Sequence, residues 1–180
     1  MKRIILLIFI LMMAGTARDN KMSAVHVGQP APVFSLPDMN NTYVFLKDYT
    51  GEKLRKPWKN KVHHAVVISF FATWCGPCKK EIPHLNVLQK EYAGKPVKFF
   101  LIDVGESGDK VKDFLARNDV QLKVLLDRYK KVSDKYEADS LPRLIVIDKK
   151  GVIRKINHGF KDADRFMSEM RGLLDRLTTE

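Results

Sequence analysis

Residues Ala65 to Ala72 read AVVISFFA and run straight into Thr73-Trp74-Cys75-Gly76-Pro77-Cys78. The run is continuous, short, and rich in β-branched and aromatic residues. It shows no alternation of polar and apolar positions, so it predicts a strand covered on both faces. A strand of that kind requires structure above and below it. The chain must therefore build a layered α/β domain around this segment. The residues that follow carry a helical pattern, with Leu85, Leu88 and Tyr92 at apolar positions. Both cysteines thus stand where a buried strand hands over to a helix. Pro77 suits the first helical turn, where its missing N–H costs nothing. Pro83 lies inside the pattern and is predicted to kink it.

The rest of the chain fits that frame. Pro30, Pro32 and Pro37 punctuate a segment with Val33, Phe34 and Leu36 apolar, and Tyr43 to Leu46 follows Asn40-Asn41. Two short strands about a turn are expected there. Lys53 to Lys61 is basic, contains Pro57, and reads as an exposed loop. Val97 to Val104 is a second buried strand, and GESGDK leads into a helix around Val111, Phe114 and Leu115. Val124 to Leu126 is a short strand and Tyr129 to Tyr136 a short helix. Leu144 to Ile147 and Val152 to Ile156 form a late hairpin about Lys149-Lys150-Gly151. Asp162 can cap a last helix carrying Phe166, Met170, Leu173, Leu174 and Leu177. The expected architecture is a three-layer α/β/α sandwich with a mixed central sheet, an N-terminal β-hairpin extension and a helical insertion.

The chain begins Met1-Lys2-Arg3, continues with ten apolar residues from Ile4 to Met13, and then Ala14 to Ala17. That order of charged, apolar and small residues is the order of an export signal. Ten residues fall short of the roughly 20 that span a bilayer. Residues 1–17 are read as a cleaved signal or an uncleaved anchor, 18–26 as a linker, and 27–178 as one domain. The expected location is periplasmic or otherwise extracytoplasmic, membrane-anchored if the signal stays. The formal net charge is +11 over 180 residues. The basic residues are scattered among acids and have no stacking strip of aromatics, so nucleic acid is not expected as a partner. A monomer is expected. Two cysteines cannot supply a disulfide-stapled miniprotein or a four-thiolate zinc site.

The chemistry concentrates at Cys75-Gly76-Pro77-Cys78. Unpaired amides at a helix start stabilise a thiolate, so Cys75 is the candidate attacking sulfur and is expected to be exposed. Cys78, one turn in and more buried, suits the resolving role. Cys75 would attack a partner disulfide and form a mixed disulfide, and Cys78 would then release the reduced partner. No metal or organic cofactor is required. A purely structural disulfide and half of a zinc site are the competing readings. His63 and His64 precede the strand whose far end carries Cys75, and read as surface or edge residues. Trp74 is either part of an apolar substrate platform or packing beneath the turn. Glu81, three positions after Cys78 on one helix side, is a candidate proton relay. The alternative is an exposed glutamate paired with Lys79, Lys80 or His84. Pro142, in SLPRLIVID, could leave the Leu141 backbone free for an extended substrate if the bond is cis. Local signals alone favour trans.

At this point the chain resembles the thioredoxin superfamily, and within it the exported TlpA/ResA-like thiol–disulfide oxidoreductases. The resemblance rests on GQPAPVFSLPD at 28–38, FFATWCGPCKKEIP at 70–83, IDVGES at 102–107, LPRLIVID at 141–148 and KKGVIRKINHG at 149–159. It implies Cys75 as nucleophile, Cys78 as resolving cysteine, Glu81 tuning the thiols, a cis Pro142, and substrate contacts from Trp74, Gly76, Pro77, Leu141 and Pro142. It implies an insertion around Gly105 to Phe114. It implies a cysteine-containing protein substrate, with apocytochrome c one candidate. Electrons would come from a membrane thiol transporter of the DsbD/CcdA kind. Ser69 stands where thioredoxin carries a buried acid, so Glu81 must substitute if anything does. Arg143 stands where the family commonly has threonine. It could select acidic partners, lower a thiol pKa, or point to solvent. Disulfide oxidase or isomerase, thiol peroxidase and a non-enzymatic binding module are the alternative functions.

Overall fold

The computed structural model describes residues 25–57 and 59–179. The expected signal and most of the expected linker lie outside them. In chain order the elements are β1 (Ser35–Pro37), β2 (Tyr43–Phe45), a single 3-10 turn (Leu46–Asp48), β3 (Ala65–Phe71) and α1 (Gly76–Glu91). Then come β4 (Val97–Val104), α2 (Gly108–Arg117), β5 (Lys123–Asp127) and α3 (Lys131–Lys135). The chain closes with β6 (Arg143–Ile147), β7 (Ile153–His158) and α4 (Ala163–Thr179).

The main sheet has the order β5-β4-β3-β6-β7. The run AVVISFF lies at its centre, every residue buried. It pairs parallel with β4, Ala65 opposite Val97 through Phe71 opposite Asp103. On its other side it pairs antiparallel with β6, Ser69 opposite Leu144 and Phe70 opposite Arg143. The pleat sends alternate residues to opposite faces. Val67 and Phe71 join Ile82, Leu85 and Leu88 of α1, Phe114 of α2 and Met170 of α4 in one core. Val66, Ile68 and Phe70 join Leu36, Val44 and Tyr136 in a second. The fold is the expected thioredoxin-like sandwich with a mixed sheet. Its second outer layer is thin, made of the five-residue α3 and the antiparallel β1–β2 hairpin.

Local chemistry sets the helix boundaries. Ser107 Oγ accepts the Lys110 N–H at the start of α2, and Asp162 accepts the Arg165 N–H at the start of α4, the cap read from sequence. Asp127 accepts the Val132 and Ser133 N–H groups at 3.0 and 2.6 Å and tucks α3 against the end of β5. Tyr92 Oη donates to Asp175 at 2.8 Å, and Arg171 pairs with Glu91 at 2.8 Å, pinning α4 to α1. Gly151, at φ 86°, brings its Cα side to within 3.1 Å of the Gly51 Cα for any added Cβ, so a side chain there would strike backbone.

The α1 helix runs through Pro83 to Glu91, with Leu85 and Leu88 buried beneath it. Two expectations change. The Val25 side chain, assigned to the linker, is buried, and its N–H donates to Glu137 at 3.1 Å. Arg55, in the basic loop, turns back to pair with buried Asp48 at 2.7 Å and lies 3.9 Å from the centre of the Phe45 ring. Leu85 is fully buried in the helix that carries Cys78 and Glu81. Leu85→Ala should therefore destabilise the fold by about 2–5 kcal/mol, read as a shifted urea midpoint with an unchanged slope.

Candidate redox site

Cys75 is the N-cap of α1 and Pro77 sits in its first turn. Its N–H donates to Ala72 O at 3.0 Å, its carbonyl accepts the Lys79 N–H at 3.2 Å, and its sulfur accepts the Cys78 N–H at 3.2 Å. The two sulfurs are bonded, with Cα atoms 5.3 Å apart. They are therefore close enough to exchange a bond. The first turn of α1 contains no acidic residue, so nothing there offsets the positive end of the helix. The Cys78 N–H and that field both bear on the Cys75 sulfur, the surroundings that stabilise a thiolate.

The expected exposure of Cys75 is not found. Cys75 is only 3% exposed and Cys78 1%. As an N-cap side chain, Cys75 folds back over the first turn to meet the Cys78 N–H, and the bond to Cys78 holds it there. The surrounding surface belongs to Trp74, 68% exposed, and to Gly76 and Pro77, both exposed. Trp74 does not pack beneath the turn.

Glu81 is 1% exposed, not a surface partner of Lys79, Lys80 or His84. Ser69 Oγ donates to its Oε2 at 2.6 Å, and its Oε1 has no partner among the described residues. Burial raises its pKa to about 7, and the Ser69 hydrogen bond, which favours the charged form, only tempers that rise. The sequence marked Ser69 as the loss of an acid. Among the described residues, the structure shows it as the hydrogen-bond donor to the acid that is present.

Besides Glu81, a pair of carboxyls lies by the turn, and sequence reasoning missed its role. Thr73 donates from its N–H to Glu106 Oε2 at 2.5 Å and from Oγ1 to Oε1 at 2.9 Å. Lys110 reaches Oε1 at 2.6 Å, and the Glu106 N–H donates to Asp103 at 3.1 Å. Burial pushes the Asp103 carboxyl up, reinforced by the neighbouring Glu106 charge. Burial also acts against Glu106, but Lys110 and the Thr73 donors outweigh it and hold that carboxyl down. The charge therefore resides on Glu106, which fastens the start of the cysteine turn to the end of β4. The two acids stand in the IDVGES segment, Asp103 at the end of β4 and Glu106 just after it, and an acid inside an otherwise apolar buried strand was the available signal.

The peptide bond Leu141–Pro142 is cis, as the resemblance implies and against the local default. Since Arg143 pairs with Phe70, this bond lies beyond the end of β3 where Cys75 also lies. Arg143 follows the pleat to the other face and is 4% exposed. Its Nη1 lies 3.0 Å from a His158 ring nitrogen and its Nη2 3.5 Å from Glu137. It points neither to solvent nor toward the thiols, because the β6 position it occupies alternates with Leu144, the residue that joins the cysteine side of the core. His63 and His64 precede β3, at the end of the sheet remote from Cys75. His64 is half-buried, with its ring edge-on to Tyr49 at 6.1 Å, so it is not a plain surface residue. Among the described residues no group of three His, Cys, Asp or Glu is placed to hold a metal.

Comparison with known proteins agrees with this geometry. The Redoxin family profile matches residues 26–174. The thiol-disulfide oxidoreductase ResA of Geobacillus thermodenitrificans is 32% identical over 162 residues, covering 88% of this chain and 86% of the relative. The thioredoxin-like protein YneN of Bacillus subtilis is 33% identical, covering 78% and 76%. A crystal structure from Chlorobium tepidum, assigned as a thiol:disulfide interchange protein DsbE, superposes with a TM-score of 0.70 at 27% identity, covering 83% of this chain and 97% of that one.

Proposed function

We propose that this chain, which belongs to the Redoxin family and is closely related to thiol–disulfide oxidoreductases of the TlpA, ResA and DsbE type, reduces disulfides in exported proteins. It is a redox enzyme, and the direction of electron flow is the proposed part. The observation that carries the proposal is the Cys75–Cys78 bond at the head of α1 with buried Glu81 one turn further on.

In the reduced enzyme the Cys75 thiolate attacks one sulfur of the substrate disulfide. A Cys75–substrate disulfide forms, and the other substrate sulfur leaves as a thiolate that takes a proton from solvent. Cys78 gives its proton to the Glu81 carboxylate and attacks the Cys75 sulfur. The substrate's second sulfur leaves as a thiolate and is protonated in turn. Two electrons have passed to the substrate, and the Cys75–Cys78 bond remains. Glu81 suits that proton transfer because its pKa of about 7 lets it gain and lose a proton near neutrality.

The exposed Trp74, Gly76 and Pro77 supply a face against which a polypeptide can lie, with Leu141 and Pro142 at the same end of the sheet. Re-reduction of the Cys75–Cys78 bond needs two electrons from an outside reductant, and a membrane thiol transporter of the DsbD/CcdA kind fits an extracytoplasmic enzyme. Apocytochrome c is the candidate substrate of this kind. No helix among the described residues is long and apolar enough to cross a membrane. The protein-disulfide reductase reading predicts a reduction potential closer to thioredoxin, about −270 mV, than to DsbA, about −120 mV. Equilibration with a glutathione or dithiothreitol series measures it. A value at the DsbA end would reassign the enzyme as an oxidase.

A further inference from the structure

A groove of about 790 Å³ runs between the β1–β2 hairpin and the β5–α3 turn, on the face of the sheet away from the cysteines. Its walls carry exposed Lys47, Arg128, Lys131 and Lys135, none of which has an acidic partner among the described residues. Arg55 lines it as well but is paired with Asp48. The two acids at its edge are both buried and engaged. Glu106 holds Thr73 and Lys110, and Asp127 holds the first N–H groups of α3. The groove therefore presents four unneutralised cations and no free carboxylate. Between the cations stand apolar and aromatic surfaces, Tyr43 at 56% exposure, Val33 at 53% and Tyr129 at 76%.

Its position ties it to the redox centre. β3, β4 and β5 are parallel, so their C-terminal ends lie together. Thr73 to Cys75 follow β3, Glu106 follows β4, and Arg128 and Tyr129 follow β5. The groove thus opens at the end of the sheet that carries the cysteine turn. Glu106 touches both, lining the groove and holding Thr73.

We propose that this groove docks an acidic, extended segment of the disulfide-bearing substrate protein, next to the cystine that Cys75 attacks. The inference rests on the reductase reading above and names its substrate class. Opposite charge supplies the recognition. Carboxylates meet Lys47, Arg128, Lys131 and Lys135, and intervening apolar side chains lie on Val33 and Tyr43. A concave site fits a chain segment better than a flat anionic membrane, and the chemistry at its mouth acts on polypeptide disulfides.

The test uses the full chain and two synthetic peptides of equal length with one internal disulfide. In one the flanking residues are Asp and Glu, in the other Asn and Ser. The reduced protein should reduce the acidic peptide about 10-fold faster or more, and the advantage should shrink as salt rises. Lys131→Glu/Lys135→Glu should erase the advantage. The same charge change at exposed positions away from the groove, Lys90→Glu/Arg176→Glu, should preserve it. Equal rates for the two peptides, or an advantage that survives the groove variant and not the control, would overturn the proposal. A redox-inert pair of peptides with serine for cysteine is titrated by fluorescence polarisation in parallel. If neither disulfide is reduced but the acidic inert peptide still binds through Lys131 and Lys135, the reductase reading fails and the groove stands. Tighter binding of a DNA oligonucleotide or of anionic phospholipid vesicles through the same lysines would overturn the polypeptide assignment.

Discussion

Cys75→Ser should abolish disulfide reduction, by on the order of 10⁴-fold or more, the scale on which loss of a catalytic nucleophile acts. Cys78→Ser should instead leave a protein that attacks substrate once and stops. Without the second sulfur the mixed disulfide on Cys75 has no intramolecular exit. The checks are an insulin-type turnover assay for the first variant and a non-reducing gel with mass spectrometry for the second. The trapped adduct also identifies the substrate. The two sulfurs close a loop of only four residues, so the entropic share of stability lost with the bond is below the ~3 kcal/mol of a 15-residue loop. Both variants should therefore stay folded, which keeps lost activity attributable to chemistry. Full turnover by Cys75→Ser would reduce the pair to a structural brace.

The second large effect belongs to Glu81. Its carboxyl titrates at about 7 in the folded protein and at 4.5 when unperturbed. Between those values the native state keeps a proton that the unfolded chain has lost. Stability is therefore greatest below the unperturbed pKa and falls as pH rises through the folded one, with nothing further lost well above about 7. The total is on the order of 3 kcal/mol. Glu81→Gln keeps the Ser69 contact available and removes the titration, so it should flatten this part of the stability–pH curve and gain on the natural protein at alkaline pH. Asp103, raised for the same primary reason, leaves a residual slope of the same sign. The kinetic outcome is opposite. With no carboxylate to receive the Cys78 proton, release of the mixed disulfide should slow by about 10²–10⁴-fold and lose its inflection near neutral pH. Stopped-flow tryptophan fluorescence across the pH range reads that step. A slower rate with an unshifted pH profile would assign Glu81 a packing role only.

The central strand, the cysteine turn and the long helix were legible because each is a local signal. AVVISFFA has no polar position that solvent could claim except Ser69, and a proline inside the first helical turn fixes where α1 begins. The hairpin and the short helix of the thin second layer were also legible, but not what fastens that helix, since Lys131 to Lys135 has little amphipathic pattern of its own. It is held by Asp127 from the preceding strand. The depth of Cys75 was misjudged because exposure depends on how an N-cap side chain folds back, which spacing does not encode. Arg143 is the same kind of case. Its neighbour in sequence is the cis proline, yet strand pleating decides its direction, and that decision needs the register with Phe70. Asp103 and Glu106 acquire their role only once Thr73, in the turn after β3, arrives beside Glu106.

The burial of the oxidised sulfurs has a kinetic side. A bond shielded so fully offers stray small thiols in the surrounding fluid little to strike, so unprogrammed charging is held in check. Recharging then depends on a donor that first settles on the tryptophan and proline shoulders around it, which turns molecular fit into a gate on current.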